Sequence, residues 1–495
     1  MADTAPDSVT SWLTELDGID NEWNMTLFIH SSFGKLPMEM LENIIRFVPT
    51  FDLPALACTS RLLCELVENK LYRHIVVDGL ISRTNWGTFK NVIWPLHRTL
   101  VLRPDLVKKI RTFECAVFNE DDTVEVDISN VDLLDQGLHT VAKISVNQIA
   151  TVGCMVLKRL INVETLSLKL HEGNGTTPWT LTPNALHKLQ PGFDRRTAHT
   201  LHLPGLQKLK KFYFAGATFH WALAKLPCLQ SLTLSRPCII LDDGAPGEVS
   251  SSLTQLGICA CTDILRTRSG AYWNFGTFLA HFPALTDLKL SIYDSKNDED
   301  FRWLASGGRS YDTLLQRLTP VASHLRSLDL GVYDEKPGDN RANKFLQTVQ
   351  PASNFKQFTA LVDLVVPYQG LLGEPVSPFD PLPPPTWILP NTLESLEVHC
   401  PQVSIFDWIA RLRKTNDEFP SLAKISLYSQ LPYGDEYPEI WIEQREHPVV
   451  HTLHNTGISF ESTYRKRDWK IKWEHFDDDI AEAAEWLNGL RVEGE

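Results

Sequence analysis

Hydrophobic positions along this chain recur in two different rhythms, and each rhythm predicts a different kind of element. Between residues 36 and 72 the steps are three and four: Met40, Leu41, Ile44, Ile45, Phe47 and Val48 form the buried stripe of a helix. That helix opens on Leu36-Pro37-Met38-Glu39, where proline fits the first turn because its missing N–H had no partner there. It ends at Pro49. Asp52-Leu53-Pro54 starts a second helix, with an acid near the positive end of the dipole and another first-turn proline. Ser60 is the expected cap of a third, carrying Leu62, Leu63, Leu66 and Val67. Three helices this short cannot bury so much apolar surface among themselves, since domains of this size are marginal alone. The surplus predicts a partner.

The second rhythm begins beyond residue 100. One phrase keeps returning: an apolar residue, two free positions, an apolar residue, one free position, an apolar residue. Clear copies start at Val163, Leu229, Leu285, Leu325, Leu361, Leu393 and Leu422, weaker ones at Leu209 and Leu253, and Val107-Lys-Lys-Ile110 is a candidate degenerate first copy. The end of each phrase alternates apolar and polar, which is strand periodicity with one face buried. Leu226-Pro-Cys, Phe282-Pro-Ala, Phe358-Thr-Ala and Phe419-Pro-Ser stand directly before four of the copies. Proline cannot continue a helix and biases its predecessor toward extended geometry, so these read as helix stops feeding strands. Trp221 to Leu226, Thr277 to Phe282 and Phe406 to Leu412 are the expected helices upstream. Units of this kind bury their apolar sides by stacking.

The LPxE opening, the spaced aliphatics, DLxAL, TSR and LYRHI over residues 33–75 resemble the F-box, in the form common in filamentous-fungal F-box proteins. The resemblance implies docking onto the Skp-type adaptor of a cullin-RING ubiquitin ligase. By position, Leu36, Pro37, Glu39, Leu41, Ile44, Ile45, Leu53, Leu56, Ser60, Leu63 and Tyr72 fall where the family places its framework and adaptor-facing residues, and the sequence does not separate those two roles. The strand phrase resembles the leucine-rich repeat in the loose, long version that follows F-boxes. Its spacings run from 20 to 46 residues, many longer than the regular 20 to 29, and the Asn or Cys after the phrase is mostly missing. Variable loops are therefore expected, among them the proline-rich Glu374 to Pro385.

The fold expected is α/β. An extension over residues 1–32 precedes a three-helix F-box at 33–76. An irregular leucine-rich-repeat solenoid follows at 77–465, a curved, largely parallel sheet with helices on its other face, and an acidic helical cap or tail occupies 466–495. At the C-terminal end, Pro448 to His454 reads as a last short helix, Gly457 to Phe460 as the last strand and Asp477 to Leu490 as an amphipathic acidic helix.

Charge and composition narrow the function. A net charge of −14 argues against a nucleic-acid partner, because phosphate binding needs concentrated Lys and Arg. No apolar run reaches membrane-span length, and the N-terminus lacks a basic region followed by an apolar one, so the cytoplasm or the nucleus is the expected compartment. There the nine scattered cysteines read as buried thiols, and the sequon at Asn174 carries no meaning. Acids gather at 119–127, 294–300 and 474–485; they are either solvated loops or a docking site for a basic partner. Phosphate-binding glycine loops and the nucleophile elbow are absent. Cys259-Ala-Cys261 has no His or Cys pair at zinc spacing nearby, and His447, His451 and His454 could meet on one helical face yet lack the glutamate of HExxH, so no metal, cofactor or catalytic residue is expected.

A stacked array instead offers a surface. Side chains between the core leucines line the sheet face, among them Ser167, Ser291, His399 and Ser426, and as candidate target contacts Asp287, Lys289, Asp329, Asp363, Glu397, Lys424 and Tyr428. The acids at successive rungs suggest a target with a basic segment. The resulting expectation is a non-catalytic substrate-recognition subunit of an SCF-type (Skp/cullin/F-box) ubiquitin ligase. The alternative is a scaffold whose F-box acts outside ubiquitin ligation.

Overall fold

A computed structural model of the chain describes residues 35–49, 52–78, 93–119, 156–157, 159–172, 206–215, 218–235, 239–241, 252–265, 274–293, 309–333, 349–373, 382–402, 404–414, 418–430, 449, 453 and 457–465. Outside them lie the expected N-terminal extension, the acidic stretches apart from Asn119, the sequon, His447, His451 and His454, most of Pro448 to His454, the loop before Leu382 and the expected C-terminal helix. The chain divides into two compact units, residues 1–255 and 256–495.

In the first unit come helices α1 (Met38–Phe47), α2 (Leu53–Ala57) and α3 (Arg61–Leu71), followed by strand β1 (His74–Asp78), α4 (Ile93–Leu102), α5 (Pro104–Val107), β2 (Thr112–Asn119), β3 (Thr165–Glu172), β4 (Lys211–Ala215), β5 (Thr218–His220), β6 (Ser231–Leu234) and β7 (Ile239–Leu241). The main sheet runs β1-β2-β3-β4-β6, parallel throughout, and β5 pairs β7 beside it. The second unit holds β8 (Gln255–Cys261, whose first residue closes the first unit), α6 (Phe275–Leu279), β9 (Asp287–Tyr293), α7 (Tyr311–Arg317), β10 (Ser327–Asp329), β11 (Val332–Tyr333), β12 (Asp363–Pro367), α8 (Tyr368–Leu372), α9 (Pro385–Ile388), β13 (Ser395–His399), α10 (Ile405–Lys414), β14 (Lys424–Gln430) and β15 (Ser459–Arg465). Its order is β8-β9-β10-β12-β13-β14-β15, with β11 also on β9.

Register explains the sequence phrase. Phe113, Leu166, Phe212 and Leu232 lie side by side on successive strands of the first unit. Leu288, Leu328, Leu364, Leu396 and Ile425 do the same in the second, and none of the nine is more than 3% exposed. The leading residues Val163, Leu209, Leu229, Leu253, Leu285, Leu325, Leu361 and Leu393 are all at 0%. The first copy, however, begins at Ile110, because Phe113 and not Ile110 pairs with Leu166; Val107 belongs to α5.

Two backbone devices recur along the rungs. The carbonyl of the residue just before one strand accepts two N–H groups from the next: Arg73 from Arg111 and Thr112, Arg111 from Glu164 and Thr165, Glu164 from Lys210 and Lys211. In the second unit Thr286 accepts from Arg326 and Ser327, Arg326 from Val362 and Asp363, and Val362 from Glu394 and Ser395. The second device is a turn. The carbonyls of Leu226, Phe282, Phe358 and Phe419 accept from Leu229, Leu285, Leu361 and Leu422 at 3.1–3.2 Å. Pro227, Pro283 and Pro420 therefore sit at the second turn position, where a fixed φ is favourable and no N–H is needed. Of the three helices expected upstream, two form as α6 and α10, while Trp221–Lys225 is a 3₁₀ turn, leaving a short path between β5 and Leu226.

Leu328 is fully buried between Leu288 and Leu364. Replacing it by Ala is expected to lower stability by about 2 to 5 kcal/mol, and because a rung depends on its neighbours, hydrogen exchange should quicken in β9 and β12 as well as β10. Loss of protection in β10 alone would contradict this account.

Candidate functional site

Helices α1 to α3 make a small bundle with its own core of Leu41, Ile45, Leu53, Leu63, Leu66 and Val67, flanked by Leu36, Val48, Leu56, Ala57, Leu62 and Leu71. Ser60 starts α3, its Oγ accepting from the Leu63 N–H at 3.2 Å, as a cap of this residue type should. Lys70 closes the bundle. Its ammonium donates to the carbonyls of Ile45, Arg46 and Val48 at 3.0, 3.2 and 2.6 Å, satisfying the open C-terminal end of α1 and meeting its negative dipole.

Charge fastens the bundle to the short helix α5 ahead of β2. The Glu68 carboxylate, 14% exposed, accepts from Arg103 at 3.1 Å and Lys109 at 2.7 Å, and Arg103 also meets Asp105 at 2.8 Å. Those hydrogen bonds, Asp105's first, hold the Arg103 guanidinium firmly charged and keep the Asp105 carboxyl below its usual range. Burial, and then Glu68, pushes the Tyr72 phenol and the Cys64 thiol up.

The structure sorts the adaptor candidates. Leu41, Ile45, Leu53, Leu63 and Ser60 are at most 4% exposed and hold the helices together. Leu36, Ile44, Leu56 and Tyr72 are half-buried, and Pro37 and Glu39 are exposed. Met40 and Phe47, expected in the buried stripe, instead face outward at 50% and 88% exposure, with Met38 at 43%. Pro37, Met40, Ile44 and Phe47 are spaced three, four and three apart, so they share one helical face. That face lies one residue, about 100°, around from Leu41 and Ile45. An apolar arc covering both faces is wider than one side of a helix can bury, and this width was the signal available in the sequence.

On the sheet face of the second unit the candidate target contacts form two rows. Asp287, Ser327, Asp363, Ser395 and Lys424 are register neighbours in one, and Lys289, Asp329, Val365, Glu397 and Ser426 in the other. Much of the charge is already paired. Lys289 meets Asp329 at 2.9 Å, Lys424 meets Glu461 at 2.7 Å, and His399 meets Glu397 at 2.6 Å while its ring lies 4.8 Å from that of Tyr428. The His399 hydrogen bond holds Glu397 below the usual carboxylate range. Asp363 differs: partial burial, then Glu394 and Asp287, push its carboxyl up. Ser167, Ser291, Ser426 and His399, expected on the exposed row, are at most 9% exposed: parallel strands about 4.8 Å apart shade the short serines with their neighbours, and His399 is held by Glu397 and the Tyr428 ring.

Of the cysteines expected to be buried, Cys115 in β2 and Cys259 in β8 are, whereas Cys58 and Cys228 are exposed. Among the described residues no three His, Cys, Asp or Glu side chains converge as a metal site would require, and no helix is long and apolar enough to cross a membrane.

Replacing Lys70 by Met keeps the stem and removes the three hydrogen bonds. The expected loss is about 1 to 2 kcal/mol of stability, read as a lower thermal midpoint of the full chain, and an unchanged midpoint would show that water replaces the ammonium without loss. Comparison with known proteins matches residues 33–74 to the F-box domain. No curated protein sequence matches the chain. The helical bundle is thus an F-box domain, the module that binds Skp-type adaptors of cullin-RING ligases.

Proposed function

We propose that this protein is the substrate-recognition subunit of an SCF-type ubiquitin ligase, with α1 docking on a Skp-type adaptor and the strand ladders, read as irregular leucine-rich repeats, holding the target. The observation that carries the reading is the outward stripe of Pro37, Met40, Ile44 and Phe47 on an F-box helix. An exposed contiguous apolar face marks an interaction site, and this one lies beside the bundle's own core. No bond-making residue is asked of this chain. Holding a target near the ligase converts ubiquitin transfer from a chance encounter into a local one at high effective concentration. The repeat reading is supported by the recurring leading leucine, the recurring turn and the recurring double acceptance by one carbonyl.

The adaptor is tested by Met40→Glu with Phe47→Glu. Both side chains are exposed, so the fold should survive, while each buried anchor removed costs about 2 kcal/mol or more of binding. The expected result is loss of adaptor co-purification with an unchanged thermal midpoint; undiminished capture would refute this docking face.

For the target, Asp287 and Asp363 form no ion pair among the described residues, whereas Asp329 and Glu397 are partnered. Reversing Asp287 and Asp363 to Lys should slow association of a basic-segment target by about tenfold at low salt and less at moderate salt, as steering charges do. The measurement is recovery of co-purified proteins under proteasome block with adaptor recovery as control. Unchanged recovery at both salts would move the target site away from this face.

A further inference from the structure

Below the bundle, wholly within the first unit, is an open cavity of about 830 Å³. Its walls come from the end of α1, from α3, from the turn into β1 and from the segment before β2; Ile45, Leu53, Leu66 and Leu71 supply apolar surface. The remainder is cationic. Arg46, Lys70, Arg73, Lys108, Lys109 and Arg111 line it against the single acid Glu42, in a chain whose net charge is −14.

These cations are not alike in what they already do. Lys70 is committed to the α1 carbonyls, Lys109 to Glu68, and Arg111 donates to the Asn162 carbonyl at 3.3 Å. His74, at the rim, meets Glu114 at 2.8 Å. Arg46, Arg73 and Lys108 have no ion-pair partner among the described residues. Arg73 and Arg111 stand on adjacent rungs, the N–H of Arg111 bonding the carbonyl of Arg73. Adjacent parallel strands lie about 4.8 Å apart, and like charges side by side on them repel. Glu164 on the next rung eases this from one side, but it is itself bonded to Lys210 at 2.9 Å.

We propose that this cavity binds a compact polyphosphate, a small molecule carrying two or more linked phosphate groups. The volume falls within the range of about 300 to 1,000 Å³ common for small-molecule sites. The guanidinium fork of Arg73 matches phosphate oxygens two at a time, Arg111 adds the N–H groups it does not spend on Asn162, and Arg46 and Lys108 add further positive charge. A lone phosphate would leave most of both the space and the charge unused. Because the walls come from the F-box helices and from the first two rungs, the ligand would bind only the folded arrangement and so raise its stability. The α1 face offered to the adaptor is a separate surface.

The test uses purified full chain, titrated calorimetrically with tripolyphosphate and with ATP, and with sulfate at matched ionic strength. Tripolyphosphate should bind saturably with one site and raise the thermal midpoint, and sulfate should do neither. ATP binding as tightly as tripolyphosphate would show that the phosphates suffice; tighter binding would assign the ligand to the nucleotides. Both outcomes support the proposal. Arg73→Gln with Lys108→Gln, both exposed positions, should weaken binding at least tenfold, while Lys211→Gln, an exposed control on β4 outside the cavity, should leave it unchanged. Adaptor capture, measured in parallel, should be unaffected, so that a failure of the docking face and a failure of this site are told apart. The proposal is overturned if neither probe saturates, if sulfate matches them, or if the double variant binds as before.

Discussion

A parallel strand cannot finish itself. It needs a neighbour on each side for its N–H and C=O groups and a second layer over its apolar face, and the solution here is one apolar side chain set beside the next, leucine beside phenylalanine in the first unit and leucine beside leucine in the second. Leu288, Leu328 and Leu364 are close to zero exposure because each is covered by the next. The same constraint decides which polar residues are reachable: side chains squeezed between adjacent rungs, such as Ser291 and Ser426, vanish from the surface, and longer ones such as Lys289 reach across to a partner on the next strand. Recognition on this face has to use whatever such pairing leaves over.

The bundle at the N-terminal end faces the opposite problem. Its core is only six residues deep, yet α1 is apolar around more than one side. Placing Phe47 in water is unfavourable by about 1.5 to 3 kcal/mol relative to burial, an imbalance the isolated domain tolerates through Lys70 on the α1 carbonyls and Glu68 on Arg103 and Lys109. Polar fastening at one end thus accompanies an uncovered apolar stripe on the other side, as suits a module that is complete only when docked.

Much of this was legible beforehand, and for identifiable reasons. Ser60 was readable as a cap because a hydroxyl before an apolar helix has one obvious use, and Leu285, Leu325 and Leu361 were readable as core because their spacing admits only one buried face. The division of α1 was not, since Met40 and Leu41 are equally apolar and only packing against Leu53 and Leu63 decides which turns inward. Nor was the pairing of Asp329 with Lys289 or of Glu397 with His399, which depends on register between strands tens of residues apart. The cationic cavity escaped for the same reason: Arg46, Arg73 and Arg111 are far apart in the chain and meet only once the bundle rests on the first rungs.

The short turn ahead of Leu229, Leu285, Leu361 and Leu422 has a further implication. From Leu226, Phe282, Phe358 or Phe419 onward, the turn and the start of the strand after it are a cassette of fixed length, and the ladder pairing of that strand is made inside it. The path by which the chain returns to begin the next cassette is tied at fewer points, such as Gln357 on the Leu315 carbonyl and Trp408 on the Pro383 carbonyl, and loop length alone changes closure entropy slowly. Insertions there leave the register untouched, whereas one extra residue inside the cassette would reverse every side chain after it. Such an architecture can change what it displays at its margins, generation by generation, while its interior spacing stays constant.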